Sequence, residues 1–290
     1  MRLIDEVRAS AAEIAERARS VRIVPDAALE LDAAPVPALD RTLHYLDGEA
    51  EDVARYFLTL DAINFGSGWF PTLRKRPGHS GYATVAASLT DHFRAAGPWT
   101  NAQLRGIDTP TIAGVLDQQP GHELMSLYAQ ALRDLGASLG NRSALDWIAA
   151  AAGSAERLAS QAVLGMPLFR DRPFYKRAQL LPTDLALAGV AQFDDLDRLT
   201  IFADNVVPHV LRCDGVLEYG EELAWRIDSE RLLEPGREER EIRACALVAC
   251  ERLAERHGIA PRVLDHWLWN RGQSREYKVR PRHRCRCVYY

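Results

Sequence analysis

Cysteine is scarce in this 290-residue chain, and the five present, at positions 213, 245, 250, 285 and 287, form an odd, scattered set. Such a set does not make a disulfide framework and reads as reduced thiols. Cys285 and Cys287 lack the second ligand pair of a zinc site. His44, His79, His92, His122, His209 and His257 have no mutual metal-ligand spacing, so neither a metal nor a cofactor is expected. No run approaches 18 apolar residues, which excludes a membrane-spanning helix. The opening MRLIDEVRAS has charges throughout and no apolar core of signal-peptide length, so the expected location is the cytoplasm. A basic excess is also missing. The net charge of -4 speaks against a protein whose main affinity is for the duplex phosphate backbone, and no stable nucleic-acid complex is expected. There is no glycine loop that cradles phosphates and no Ser-His-Asp order.

What is present is a soluble-globular composition, 47% hydrophobic and 26% charged, with helical periodicity almost everywhere. Ile4, Val7, Ala11, Ile14, Ala15 and Ala18 form one apolar stripe; Val53, Tyr56, Phe57, Leu60 and Ile63 form another. Further helices are expected over residues 82–95, 100–117, 121–138, 143–164, 174–189, 217–229, 238–257 and 260–269. Only residues 21–24 and 287–290 read as strand. The expectation is an all-α fold, one compact helical domain over residues 1–290, arranged as two lobes with the site between them. The breakers Pro71, Pro77 and Gly78, Pro98, Pro120 and Gly121, Pro167, and Pro235 and Gly236 fall between the helical stretches.

Within LTIFADNVVPHVL, residues 199–211, one carboxylate sits in an apolar run. A buried charge without partners is costly, so Asp204 is capping, paired or working. Pro208 would collide with the carbonyl four residues earlier, which is that of Asp204, so the simplest arrangement makes Asp204 the N-cap of a helix over residues 205–211.

Three further places combine aromatic and polar groups. In LDAINFGSGWF, residues 60–70, Asn64 offers a donor and an acceptor beside Phe65, Gly66 and Trp69; the plain alternative is a helix end with Gly66 in the left-handed region. In FRDRPFYKRAQ, Pro173 suits a first helical turn, which places Tyr175, Lys176 and Arg177 at the positive end of a helix dipole, where an anion is welcome. A solvated basic turn paired with Asp171 is the alternative. In VLDHWLWN, Asp265, Trp267 and Trp269 supply a stacking wall and a hydrogen-bonding edge for a flat heterocycle, or else cover the core.

Taken in order, FYKRAQLLPTDLA, FDDLDRLTIFADNVVPHVL, GVLEY, EIRACALVACERL and PRHRCRCVYY resemble the queuosine salvage protein family, from the DAINF segment to Tyr290. The resemblance implies a helical fold similar to helix-hairpin-helix DNA glycosylases. It also implies hydrolysis of queuosine 5′-monophosphate to queuine and ribose 5-phosphate. Carried onto this chain, the family's catalytic aspartate matches Asp204 and its lysine matches Lys176. Where members often read FADYRVPQ, this chain has Asn205, Val206 and His209, so no role is carried over for those three. Breaking a ribosyl C–N bond builds positive charge at C1′, which a carboxylate stabilises, either by attacking C1′ or by orienting water. For the phosphate the candidates are Lys176, Arg177 and the basic tail at His283 and Arg284. For the base they are Phe65, Trp69, Trp267 and Trp269 as stacking partners, with Asn64 or Asp265 reading its edge. The competing readings are a DNA base-excision glycosylase of the same fold and a non-enzymatic helical nucleotide binder.

Overall fold

A computed structural model describes residues 2–25, 27, 29–31 and 36–290. These are mainly helical, with a single two-stranded sheet among the described residues. None of the described helices is long and apolar enough to cross a membrane. The chain divides into two compact units. One comprises Met1–Pro37, Arg172–Lys176 and Asp197–Cys287; the other comprises Ala38–Asp171, Arg177–Leu196 and Val288–Tyr290.

In the first unit the helix Arg237–His257 is the central support. The apolar stripe Ile4, Val7 and Ala11 of the helix Leu3–Glu16 is wholly buried along it, and Arg8 Nε bonds Glu251 Oε2 at 3.0 Å across the pair. The strands Val21–Ile23 and Leu217–Tyr219 run antiparallel in the register Val21 to Tyr219 and Ile23 to Leu217. The helices Val207–Cys213 and Pro261–Arg271 pack on each other and on the central helix. Their closeness depends on Gly272, where an added Cβ would lie 2.6 Å from Val206 Cγ1 and 2.9 Å from Val210 Cγ2.

The second unit is built around the helices Ala50–Ala62, Gly81–Ala96 and Glu123–Leu139. Its core holds Tyr56 edge-on against both Phe57 and Phe93, with ring centroids 5.1 and 5.3 Å apart.

Several expected helices differ in detail, each for a local reason. The stretch 100–117 is two helices, because the Asp108 side chain accepts the Thr111 N–H at 2.9 Å and Pro110 opens a new first turn. The stretch 143–164 breaks at Gly153, φ 72°, before Ser154 caps the helix Ala155–Gly165. Residues 217–219 are strand, and the helix behind them starts at Glu221. Residues 287–290 form no strand: the Val288 carbonyl accepts from Arg177, and the Tyr290 main-chain oxygen accepts the N–H groups of Gly66 and Ser67 at 2.9 and 3.2 Å.

Candidate active site

The helix expected to begin at residue 205 begins at Val207, so Asp204 is not its N-cap residue. The carboxylate still does a capping job. Its Oδ1 accepts the N–H of Val206 at 2.6 Å and that of Val207 at 3.2 Å, satisfying donors that the helix start leaves open. Pro208 fits because it falls in the first turn, where a missing N–H costs nothing. Asp204 is 7% exposed, held by its own backbone and walled by Phe202, Ala203, Val206 and Val207, all buried.

Asp265, on the helix Pro261–Arg271, reaches the same strip of chain. Its Oδ1 accepts the Phe202 N–H at 2.8 Å, two residues before Asp204. Burial, then the Asp204 charge, push the Asp265 carboxyl up to about 8, against the Phe202 N–H and Lys176, which pull it down. Lys176 is buried and is the first residue of the helix Lys176–Leu187, behind Tyr175. Tyr175 has φ 49°, a left-handed conformation unusual for an aromatic residue. The proline of this segment is not in the helix; Pro173 precedes it, after a cis bond to Arg172. Lys176, Asp204 and Asp265 thus form one buried group of ionisable side chains within the first unit.

Because Asp265 holds its proton in the folded state, its favourable contribution to stability is complete below 3.8, the ordinary carboxyl value, and is lost as pH rises towards 8. Between those limits the unfolding free energy of the wild type should fall relative to that of Asp265→Asn by up to about 1.4 kcal/mol per pH unit. Urea denaturation of both proteins at pH 5 and pH 7.5 measures this. Parallel pH dependences would show that Asp265 is ionised in the folded protein.

The other sequence candidates separate clearly. Arg177 was expected at an anion; instead its guanidinium is buried in the second unit between the rings of Phe65 and Phe169, at 4.6 and 4.4 Å. It donates to the carbonyls of Asp61, Ala62, Leu168 and Val288, so it closes the end of the helix Ala50–Ala62. Phe65 is correspondingly a core ring, edge-on to Tyr128 at 5.1 Å, rather than a wall open to a base. Trp69 is also buried, with its indole N–H on Glu123 Oε2 at 2.7 Å. Asn64 is half-buried and donates to Asp61 Oδ1 at 3.5 Å. Gly66 does have a positive φ, 118°, but it lies beyond the helix end at Ala62.

The two tryptophans of the first unit also differ. Trp267 is stacked by the Arg271 guanidinium, 5.0 Å from its ring. Trp269 is half-buried and lies one helical turn from Asp265, on the same face. His283 is a poor phosphate ligand, because burial and the neighbouring Arg243, His209 and Arg212 push it down to about 3 and leave it neutral near pH 7. Arg284 is half-buried and donates to the Glu230 carbonyl.

Two cations escaped the sequence reading. Arg243, fully buried on the central helix, donates to the Ala203 carbonyl at 2.8 Å and pairs with Glu239 at 3.1 Å, while its guanidinium lies 4.2 Å from the Phe174 ring. It therefore fixes the peptide next to Asp204. Its signal was an arginine within the apolar face of EIRACALVAC. Arg282 feels the Asp204 charge and donates to the Gly272 carbonyl. It lies in the basic tail that the sequence singled out, one residue before the histidine chosen there. Among the described residues, no group of three or more His, Cys, Asp or Glu is arranged to hold a metal ion.

The sequence pattern described as "Queuosine salvage protein" matches residues 43–290. The chain belongs to this family. The family match contains every candidate discussed above, from Asn64 to Arg284. A Sphaerobacter thermophilus protein named queuosine 5′-phosphate N-glycosylase/hydrolase is 34% identical, with 96% of this chain and 95% of the relative covered. The mouse protein of the same name is 27% identical over 98% of each chain, and the Dictyostelium discoideum one is 29% identical over 87% of this chain and 85% of its own.

Proposed function

We propose that this chain hydrolyses the N-glycosidic bond of queuosine 5′-monophosphate, releasing queuine and ribose 5-phosphate. Family membership and near full-length similarity to relatives bearing that enzyme name support the substrate. The observation that carries the chemistry is the buried Asp204 carboxylate, fixed by two backbone N–H groups beside Lys176 and Asp265.

Cleavage of the C1′–N bond gathers positive charge on C1′ and the ring oxygen. A negative oxygen already aligned there stabilises that charge without reorganising at the moment of reaction. Asp204 is the residue for this role, by direct attack on C1′ or by holding a water for attack. Arg282, in the same field, is a better candidate for the phosphate than His283 or Arg177, since one of those is neutral and the other is committed to carbonyls. Trp269 is the preferred stacking partner for the base. In this reading the fold is of the helix-hairpin-helix DNA glycosylase type, residues 1–290 form one catalytic domain, and the enzyme works in the cytoplasm.

The test is direct. The purified protein, incubated with queuosine 5′-monophosphate, should release free queuine and an equal amount of ribose 5-phosphate, followed by chromatography. No queuine after many enzyme equivalents of substrate would sink the reading.

A further inference from the structure

Two carboxylates, Asp204 and Asp265, are buried in the same electrostatic neighbourhood, and they are not held alike. Asp204 receives two backbone N–H groups on one oxygen, at 2.6 and 3.2 Å, whereas Asp265 receives one, at 2.8 Å. Burial raises the Asp265 carboxyl, the nearby Asp204 charge raises it further, and Asp265 keeps its proton. The charged and titratable groups facing Asp265 are Asp204 on the approach to the Val207–Cys213 helix, Lys176 at the start of its own helix, and Cys250 on the central helix. Of these, Lys176 alone pulls the proton off, and Asp204 and burial outweigh it.

The proposed reaction needs such a proton. A 7-deazapurine has carbon where an ordinary purine has its basic N7, so the departing base must be protonated at another atom. We infer that Asp265 is a catalytic acid that gives its proton to the leaving base while Asp204 stabilises the sugar. The inference rests on the reading of Asp204 given above. In the step, the C1′–N bond breaks, its electron pair leaves with the base, and the Asp265 proton moves to that base. Water oxygen then bonds to C1′, and the proton that this water loses restores the Asp265 carboxyl. No oxidant, reductant or further reactant is required. Trp269, one turn along the same helix face, is placed to keep a flat ring within reach of the acid.

Single-turnover rates on queuosine 5′-monophosphate, taken from pH 5.5 to 9.5 for wild type, Asp265→Asn and Asp204→Asn, decide the matter. The wild-type rate should fall on the alkaline side with a midpoint near 8. Asp265→Asn keeps an acceptor for the Phe202 N–H; its rate should drop about 100-fold to 1000-fold and lose that alkaline limb, with substrate affinity little changed. A flat wild-type profile to pH 9.5 would overturn the inference even if the variant were unfolded. So would an Asp265→Asn enzyme at wild-type rate, or one that is slow but keeps the same alkaline limb. Asp204→Asn reports separately: if it is fully active, the reading of Asp204 fails, whatever Asp265 does.

Discussion

Asp204→Asn should bind queuosine 5′-monophosphate about as well as the wild type and release queuine about 10⁴-fold more slowly. The substitution is nearly isosteric. Its side-chain oxygen still accepts the N–H groups of Val206 and Val207, so the turn into the Val207–Cys213 helix survives. What disappears is the negative charge, in a site where burial makes charge worth more than in water. A nucleophile is lost by the same change, because an amide oxygen does not form the glycosyl ester that a carboxylate can. Binding by equilibrium dialysis and release by chromatography separate affinity from chemistry. A variant that turns over at the wild-type rate would falsify the assignment.

Arg243→Met should lower stability by about 3–5 kcal/mol, read as a shift of the urea midpoint at an unchanged slope. Methionine fills much of the space, but Glu239, also buried, then has its charge uncompensated, and the Ala203 carbonyl loses its donor. The packing of the guanidinium on the Phe174 ring goes as well. Because the cost is dominated by an orphaned charge, adding Glu239→Gln to Arg243→Met should recover part of it. Strict additivity of the two substitutions would mean that the pair is not coupled.

The sequence made some of this site legible and concealed the rest for identifiable reasons. Asp204 stood out because an apolar run with a proline four residues on has few uses for a carboxylate, and that argument survives a helix that starts two residues later. Asp265 was visible only as a polar edge beside two tryptophans. Its protonated state comes from burial and from the Asp204 charge, which lies more than 60 residues away along the chain, against the pull of the Phe202 N–H, and no local pattern encodes that. Arg177 misled. Cations alternating with aromatic rings suggested an anion site, yet a guanidinium has five donors, enough to close the last carbonyls of a distant helix from inside a core. The helices with long apolar stripes, residues 3–16 and 237–257, were the easy part; the breaks at Asp108 and Gly153 required cap and turn geometry that periodicity does not report.

The bare backbone at Gly272 has a practical corollary for anyone altering the substrate range of this enzyme. With Val206 and Val210 lying where any side chain would have to go, and the Arg282 guanidinium anchored on its carbonyl, that turn admits no added bulk without dislodging the loop that carries Asp204. The exposed Asn270, at the end of the same helix, is the better place for a new side chain, which there meets solvent rather than packed core.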